Sequence, residues 1–545
     1  MKLVTSPYPN VPLFRRSIFT HLLGTTPDTP HLIGGFPASS PAFIDAATAT
    51  VLSRATLRSY ALQFAFSLHD LPAPLAYTPN PTTPATVLIF SPNTIVWPIL
   101  LHGVAAAGFR TTLANSAFTS SELAYQYANA NASLIFTYPS LLSVVLDALK
   151  SLGCTESEIR STDAAHLVRL DAFFGRGELQ GEVSFDGERS NETLYLCYSS
   201  GTTGKPKGVE TTHYNLVSLI EILRPSWPTM IPCLTPFLPA GHPGTAPGRV
   251  FWVVAVFPYL WCDQIVDVPT LPGHTSGAIE KYNMTSIHTL YSGAAPLGAD
   301  LVATIRTRLQ KVGADVIVSQ AYGLTETSPT MIVLHPKDAN THIGSVGHVL
   351  PNLEVQLVRE DAGEIITDIE GAGEIWVRGP TVMKGYLNNP SATASAITPD
   401  GWFKTGDIAI SDAEGFITII DRRKELIKYK GFQVAPAELE ALLLQHPDVT
   451  DAAVVGVDSK EEATELPRAY IVPTGPITPR ESAVLALEVQ AWVADRVAAH
   501  KKLRGGVITV DGIPKSASGK ILRRELRERA KGEVGHGQVG PRVKL

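Results

Sequence analysis

Residues Thr193–Val209 read TLYLCYSSGTTGKPKGV. The apolar first part predicts a buried strand, and the small hydroxyl residues and glycines that follow predict a loop whose N–H groups can surround phosphate oxygens. Lys205 and Lys207 add positive charge. The loop differs from a Walker A motif, because Gly201 and Gly204 are separated by two residues rather than four. The stretch indicates phosphate binding at the end of a strand, with a plain flexible loop as the alternative.

Strand-like and helix-like segments alternate around this loop. The runs Thr86–Phe90, Ser133–Thr137 and Asp315–Ser319 are apolar and β-branched, and each ends at a loop or a helical stretch. This alternation is typical of an α/β protein, which binds ligands at the loops that follow its strands. From residue 346 to residue 379 short alternating strands with turns take over, so the sequence predicts a β subdomain there.

The charged segment Asp421–Glu425 marks a predicted domain boundary. The compact stretch after it mixes helical and strand patterns, and the glycine-rich last residues are expected to form a mobile tail. We therefore predict a multidomain α/β protein. It consists of a large N-terminal domain of α/β layers at 1–421 that includes a β subdomain at about 346–421, a small α+β domain at 422–531, and a tail at 532–545.

The length and composition exclude several classes of protein. The chain has 545 residues, of which 44% are hydrophobic and 18% charged, as expected for a globular protein with roughly two to four folding units. Its net charge of -6 gives no global positive field for nucleic acid or anionic lipid. Cys154, Cys197, Cys233 and Cys262 form no CxxC pair, so we expect buried reduced thiols rather than disulfides or a cysteine-rich zinc site.

The two chain ends and the internal apolar windows indicate where in the cell the protein is expected. Prolines interrupt the N-terminus where a secretory signal needs an unbroken apolar core. The apolar windows Val87–Gly108 and Val250–Trp261 are better explained as core elements than as membrane spans. The terminal Val543-Lys544-Leu545 matches the last two positions of the Ser-Lys-Leu peroxisomal signal. We expect an intracellular protein without a membrane span, in the peroxisome or otherwise in the cytoplasm.

The phosphate-loop stretch resembles the signature of the acyl-adenylate-forming superfamily, and six companion motifs follow it in the expected order. The similarity is strongest to 4-coumarate:CoA ligases and related acyl-CoA ligases, and it runs from about Pro84 to Leu526. So many motifs in one order make a chance match negligible. The companions are SGAAPLG from Ser292, QAYGLTET from Gln320, GEIWVRG from Gly373, WFKTGD from Trp402, DRRKELIKYKGFQVAPAELE from Asp421 and PKSASGKILRREL from Pro514.

The resemblance implies a site for ATP and Mg²⁺. Tyr322 is similar to the residue that stacks on adenine, and Asp407, in a Thr-Gly-Asp turn, to the acid that accepts both ribose hydroxyls. Arg422 resembles the positive partner of ribose and phosphate, and Glu326 the carboxylate that helps hold Mg²⁺, a hard ion preferring oxygen ligands. The implied ATP- or AMP-binding set is Ser199, Ser200, Gly201, Thr202, Thr203, Gly204, Lys207, Gln320, Tyr322, Thr325, Asp407, Arg422 and Lys424.

The resemblance also implies a two-step reaction that uses coenzyme A. A carboxylate attacks the α-phosphorus of ATP to give acyl-AMP and pyrophosphate, while Lys520 and Mg²⁺ offset the repulsion between the two anions. The thiol of coenzyme A then expels AMP, after the C-terminal domain swings about a hinge at Arg423. The remaining implied residues are catalytic Lys428 and Gln433, coenzyme A contacts Lys430 and Gly431, and an acid pocket at Ala294, Ala321, Gly323 and Pro329.

Residues 214–291 depart from the family pattern. The sequence there contains no Pro-aromatic-x-His element: Phe257–Trp261 supplies the proline and the aromatics but no histidine. The usual wall of the acid pocket before Ser292 is also missing, so either the pocket is remodelled or the gene model is faulty. The leading hypothesis is an ATP-dependent ligase that joins an aryl or medium-chain acid to coenzyme A. The alternatives are a ligase that loads a separate carrier protein, and an inactive relative that only binds ligand.

Overall fold

The computed structural model describes most of the chain, with gaps between the ranges. The predictions for 200–204, Ala294, Arg423, Lys424, Gly431, Lys520 and 535–545 lie outside the described residues, as does most of the atypical stretch 214–291. The described ranges are 4–45, 48–71, 85–154, 170–199, 206–226, 289–293, 297, 299–359, 364–365, 371–422, 425–430, 432–459, 462, 464–515 and 521–534.

The strands are mostly short and are distributed along the whole described chain. In chain order they are β1 (Val4–Thr5), β2 (Leu32–Ile33), β3 (Phe36–Pro37), β4 (Pro41–Ile44), β5 (Val51–Ser53), β6 (Thr86–Phe90), β7 (Arg110–Ala114), β8 (Ala132–Thr137), β9 (Thr193–Ser199), β10 (Lys207–Thr212), β11 (Thr289–Ser292), β12 (Ile317–Gly323), β13 (Thr330–Val333), β14 (His348–Val349), β15 (Glu354–Arg359), β16 (Glu364–Ile365), β17 (Gly373–Arg378), β18 (Gly385–Tyr386), β19 (Phe403–Ser411), β20 (Ile417–Arg422), β21 (Ile427–Tyr429), β22 (Phe432–Val434), β23 (Val449–Ser459), β24 (Thr464–Pro473) and β25 (Val507–Thr509).

The helices fall between these strands. They are α1 (Ile18–Leu23), α2 (Arg54–His69), α3 (Trp97–Ala106), α4 (Ser120–Asn129), α5 (Leu142–Ser151), α6 (His213–Ser226), α7 (Ala299–Gln310), α8 (Pro390–Ala396), α9 (Pro436–Leu443), α10 (Pro479–Ala494) and α11 (Arg523–Val534). Within the described ranges, each helix is too short or too polar to cross a bilayer. Helix α11 runs to Val534, so the first residues of the predicted tail at 532–545 are helical.

The phosphate signature lies in a six-stranded sheet with the order β18-β10-β9-β7-β6-β8. Strands β8, β6, β7 and β9 are parallel neighbours, and α3 and α4 connect them as in an α/β fold. Helix α3 is buried along its whole length, which explains why its sequence is apolar without a polar face. Strands β9 and β10 pair antiparallel with Ser199 opposite Lys207, so the two described ends of the signature loop are held side by side.

The described N-terminal part contains two further large sheets, besides the two-stranded pairs β2-β3 and β4-β5. The sheet β11-β12-β13-β14 begins with a parallel pair and continues antiparallel. The sheet β1-β15-β17-β19-β20, to which β16 adds, is antiparallel throughout and covers the region predicted as a β subdomain. Its first strand comes from the N-terminus, where Val4 pairs with Val355. The sequence analysis missed this pairing because a two-residue strand has no periodicity.

One apolar core joins the three sheets. It contains side chains from β10, β13, β15, β17 and β19, all of them almost fully buried, and burial of this kind provides most of the driving force for packing sheets together. This shared core therefore fixes the positions of the three sheets relative to each other, including at the strand ends where their polar side chains meet. Representative members are Val209, Ile332, Val355, Ile375 and Phe403.

The C-terminal part has the α+β composition that the sequence predicts. Strands β23, β24 and β25 form a small sheet, and Ile427, Leu439, Val454 and Val489 belong to a core of their own. The α/β multidomain fold class is thus confirmed. The domain limits 1–421, 422–531 and 532–545 stay predictions, as does the mobility of the second domain.

Two described acidic residues of the charged boundary segment, Asp421 and Glu425, are buried. Arg523 at the start of α11 donates to Glu425 at 2.7 Å and to Glu440 at 2.5 Å, and all three side chains are about nine-tenths buried. Burial raises the pKa of Glu440 to about 7 in spite of Arg523. The folded state therefore retains a proton that the unfolded chain releases, and this carboxyl favours folding less as the pH rises from about 4.5 to about 7.

We predict that Arg523→Met lowers the free energy of unfolding by about 3–5 kcal/mol, because it leaves the buried carboxyl groups of Glu425 and Glu440 without their cationic partner. Urea unfolding of the full chain provides the measurement. Arg529→Met on the same helix is the matched control, because Arg529 pairs with Glu533 four residues away and is half exposed; it should change stability by less than about 0.5 kcal/mol. Equal losses in the two variants would contradict the prediction.

Candidate active site

Asp407 lies at the centre of a buried polar cluster. Its Oδ1 is 3.1 Å from Arg422 Nε, and the Tyr322 hydroxyl donates to its Oδ2 at 2.5 Å. The Asp407 side chain is only 5% exposed. Two strands account for this geometry, because Asp407 on β19 is directly opposite Arg422 on β20. Tyr322 reaches the pair from β12, in a different sheet.

The position of Asp407 differs from the sequence prediction of a turn. Asp407 lies inside β19, and Gly406 before it has a left-handed φ of +75° that lets the strand bend without ending. The N–H groups exposed by this bend are satisfied locally: Gly406 N donates to Glu374 Oε1 at 3.0 Å and Asp407 N to Thr405 Oγ1 at 3.1 Å. The Thr-Gly-Asp motif is thus a bend within a strand, and its carboxylate is buried.

The charges in the cluster are strongly coupled. Burial raises the pKa of Tyr322 well above its usual range, and Asp407 raises it further, so the phenol stays protonated and donates. Burial alone would lower the pKa of Arg422, but the carboxylates of Asp407, Glu425 and Glu326 outweigh it and the net pKa is raised. The cluster therefore places the Arg422 cation next to the carboxyl group of Asp407.

Glu326 lies in a short 3₁₀ turn, Thr325–Thr327, directly after β12. The turn is fixed by Thr327, whose hydroxyl accepts from Leu324 N at 2.9 Å and donates to Pro329 O at 2.7 Å. The Glu326 side chain is buried, and its Oε1 accepts from the Tyr386 hydroxyl at 2.9 Å. Within the described ranges nothing donates a hydrogen bond to Oε2. One carboxylate oxygen is thus anchored, and the other can bind a cation.

The residues predicted for the acid pocket that the structure describes lie at the same end of β12 and β13. Ala321 pairs with Val333, and Gly323 pairs with Thr330 just after Pro329. At Gly323 a Cβ atom would be 1.8 Å from Pro329 O, so a side chain there would force the strands apart. Gln320, on the same strand, is buried and donates to Ser345 O at 3.4 Å.

Lys207 and Tyr386 connect the signature strand to this cluster. Lys207 Nζ is 4.6 Å from the ring centroid of Tyr386, and Tyr386 in turn contacts Glu326 through its hydroxyl. Sequence reasoning assigned no role to Tyr386. No local sequence pattern predicts this contact, because β18 and β10 are far apart in sequence and become neighbours only in the folded sheet.

The C-terminal residues form a separate group. Lys428 on β21 is opposite Gln433 on β22, and Lys430 between them has a left-handed φ of +45°. Lys430 Nζ is 2.8 Å from Glu462 Oε2, and Lys428 is exposed. In the part of the chain that the structure describes, no hydrogen bond or ion pair joins these lysines to Asp407. The structure therefore brings together Tyr322, Asp407, Arg422 and Glu326, whereas the described contacts of Lys428 and Lys430 are with C-terminal residues.

The three-sheet N-terminal part, the small α+β part and the phosphate signature between β9 and β10 define an adenylate-forming enzyme. The chain belongs to the family of AMP-binding enzymes. It matches that family over residues 38–245 and 250–387, and it matches the AMP-binding enzyme C-terminal domain over residues 438–520. The family predicted from the ordered motifs is therefore confirmed.

Individual relatives cover most of the chain. 4-Coumarate–CoA ligase-like 2 of Arabidopsis thaliana is 36% identical over 471 residues, which are 81% of each protein. Peroxisomal OPC-8:0-CoA ligase 1 of the same plant is 34% identical over 465 residues, 81% of this chain and 83% of that protein. ATP-bound MatB from Rhodopseudomonas palustris shares the fold with a TM-score of 0.71 at 23% identity, covering 94% of this chain and 99% of MatB.

We predict that Asp407→Ala lowers the free energy of unfolding by about 2–3 kcal/mol, because Tyr322 and Arg422 each lose a buried partner. Glu414→Ala is the matched control in the same hairpin, since Glu414 is 73% exposed; its change should stay within about 0.5 kcal/mol. Chemical denaturation of both variants measures the difference. If the Asp407→Ala variant were as stable as the wild type, the carboxylate would not contribute to folding stability.

Proposed function

We propose that this enzyme activates a carboxylic acid with ATP and transfers the acyl group to coenzyme A. The buried Tyr322–Asp407–Arg422 cluster next to Glu326 carries the proposal, because it combines the charges that a nucleotide and its cation require. The relatives named as CoA ligases support coenzyme A as the thiol substrate. Their names also favour the aryl or medium-chain acids expected from the sequence.

The nucleotide would bind across the cluster. Asp407 accepts from Tyr322 and lies beside Arg422, and we propose that the same carboxylate binds the ribose hydroxyls, as the resemblance implies. Arg422 supplies positive charge for ribose or phosphate. Phosphate oxygens would contact the signature loop and the end of β12, through the N–H groups and side chains of Ser199, Ser200, Gly201, Thr202, Thr203, Gly204, Lys207, Gln320, Thr325 and Lys424.

Glu326 is the proposed Mg²⁺ ligand. Mg²⁺ in nucleotide enzymes usually binds one or two carboxylates together with substrate phosphates, so a single protein carboxylate fits it. When bound, the ion offsets the charge on the triphosphate during adenylate formation. The remaining oxygen of Glu326 can take this role, because its partner Oε1 is already held by Tyr386. Among the described residues, no cluster of three His, Cys, Asp or Glu side chains offers an alternative metal site.

The chemistry requires two arrangements of the C-terminal part. In the first, Lys520 stands beside the carboxylate of the acid and the α-phosphate, and its charge offsets the repulsion between two anions. In the second, rotation at Arg423 replaces Lys520 by Lys428 and Gln433, and Lys430 with Gly431 contacts coenzyme A. Within the described ranges neither Lys428 nor Lys430 forms a hydrogen bond or ion pair with Asp407, which is compatible with a change of arrangement between the two steps.

The acid would bind next to the same strands, in a pocket that includes Ala294, Ala321, Gly323 and Pro329. These are small or compact residues, and they leave room for a planar ring or an alkyl chain. Gly323 itself cannot be enlarged without displacing Pro329. Changes in acid preference are therefore expected from Ala321 rather than from Gly323.

A substrate screen with hydroxylamine trapping tests the proposed function. The full-length protein is incubated with MgATP and a panel of aryl, branched and fatty acids, with and without coenzyme A. Hydroxamate and pyrophosphate should form with at least one acid, and acyl-CoA should replace hydroxamate when coenzyme A is present. Adenylation without any thioester would point to a carrier-protein thiol instead. A complete lack of pyrophosphate release would falsify the proposal and favour an inactive, ligand-binding protein.

We predict that Lys520→Ala abolishes most of the adenylation step and leaves thioester formation from supplied acyl-AMP largely intact. Losing a charge at the reacting phosphate should reduce the first rate by about 10²–10³. Rapid-quench assays of the separate half-reactions provide the measurement. Lys515→Ala is the matched control, because Lys515 is bound to Asp451 at 2.6 Å and has no part in the proposed reaction. An equal loss of rate in both half-reactions would contradict the proposal that the C-terminal part adopts two arrangements.

We further propose a peroxisomal address from Val543-Lys544-Leu545. The Arabidopsis relative named as a peroxisomal ligase makes this location plausible. A version of the protein with a fluorescent tag at its N-terminus should accumulate in peroxisomes, and removal of the last three residues should release it to the cytosol. Diffuse fluorescence of the intact version in cells with normal peroxisomes would argue against the signal.

A further inference from the structure

Tyr386 contacts both charged residues that bracket the proposed triphosphate site. Its hydroxyl donates to Glu326 Oε1 at 2.9 Å. Its ring lies beneath Lys207, whose Nζ is 4.6 Å from the ring centroid. One side chain therefore contacts both a cation and an anion.

The backbone around Tyr386 is fixed to both neighbours. Met383 N donates to the carbonyl oxygen of Glu326 at 2.8 Å, and Leu387 N donates to that of Gly208 at 2.8 Å. Tyr386 N donates to Thr393 Oγ1 at 2.9 Å. The segment thus binds the turn that carries Glu326 and the strand that begins at Lys207. These hydrogen bonds fix the backbone position from which the ring extends, and the hydroxyl contact with Glu326 fixes the orientation of the ring.

The contacts leave both charged groups available for ligands. With Oε1 of Glu326 held by the phenol, the carboxylate keeps one orientation and Oε2 remains for a cation. Lys207 forms no ion pair with a described carboxylate, and a cation held over an aromatic face keeps its N–H donors for an anion.

We propose that Tyr386 is a positioning residue that orients Glu326 for the metal ion and Lys207 for the phosphates of ATP. The inference rests on the proposed function, because it assumes that Glu326 and Lys207 face a metal–nucleotide complex. Tyr386 itself takes no part in bond formation. Its effect should therefore be visible in metal and nucleotide binding, before any chemistry.

The test measures Mn²⁺ binding by electron paramagnetic resonance in the presence of a non-hydrolysable ATP analogue, with the full chain. Tyr386→Phe keeps the ring under Lys207 and removes only the hydroxyl; it should weaken Mn²⁺ binding about 10-fold and leave metal-free nucleotide affinity unchanged. Tyr386→Leu removes the ring as well, so it should also weaken metal-free nucleotide binding by about 2- to 5-fold.

Tyr470→Phe is the matched control, because the Tyr470 hydroxyl donates to Glu533 at the same 2.9 Å in the C-terminal part. It should leave Mn²⁺ and nucleotide binding as in the wild type. Thr393→Val is a second, milder variant that removes the acceptor of Tyr386 N; it should weaken Mn²⁺ binding by about 2- to 3-fold. Melting temperatures of all variants separate loss of binding from loss of folding.

A double-mutant cycle with Glu326→Gln tests whether the Tyr386 hydroxyl affects Mn²⁺ binding through the Glu326 carboxylate. Tyr386→Phe should change Mn²⁺ binding little when Glu326 is already replaced, because the hydroxyl acts through that carboxylate. Fully additive losses, or wild-type Mn²⁺ affinity in folded Tyr386→Phe and Thr393→Val, would overturn the inference. If the wild type binds neither the ATP analogue nor Mn²⁺, the proposed function fails instead, which keeps the two conclusions distinguishable.

Discussion

The buried carboxylate of Asp407 is the contact on which the arrangement of the site depends. It accepts from Tyr322, which belongs to the sheet of β11–β14, and it pairs with Arg422 in its own antiparallel sheet. A buried carboxylate is stable only when its oxygens are satisfied and a cation compensates its charge. The two sheets therefore have to keep the register that brings Tyr322 and Arg422 together, and a shift of one residue would turn these side chains to the opposite face.

The third sheet joins the same cluster by different chemistry. Lys207 at the start of β10 packs over Tyr386, and Tyr386 holds Glu326 in the turn after β12. The apolar core shared by the three sheets sets the distances between the sheets, and the polar contacts at the edge of this core form at those distances. This division explains why the charged groups lie where strands of different sheets end: only there are polar side chains from all three sheets within reach without crossing the core.

Sequence reasoning identified the elements that carry a local pattern. The strand before the signature loop, the α/β alternation, the β subdomain and the α+β C-terminal part follow from periodicity, and Tyr322, Asp407, Arg422 and Glu326 follow from motifs. What it missed depends on contacts between distant segments. The Thr-Gly-Asp stretch looks like a turn because nothing local shows that Gly406 bends a continuing strand. Tyr386 has no signal of its own, since its partners are 60 residues and more away in sequence.

The boundary near residue 422 shows how the same limitation affects an inference about motion. The run of charges predicts a domain boundary, and in the structure Arg422 is bound to Asp407 on one side of it, while Glu425 is bound to Arg523 on the other. Several described hydrogen bonds span the proposed hinge at residue 423. Asp421 Oδ2 accepts from Ala437 N at 3.0 Å, and Arg422 O accepts from Glu425 N at 2.8 Å and from Leu426 N at 3.0 Å. Rotation at residue 423 would preserve both ion pairs, because each lies on one side of that residue, but it would break the contact between Asp421 and Ala437. Part of the energetic cost of such a rotation would then fall on Asp421, whose pKa is raised by burial and whose carboxylate would regain solvent.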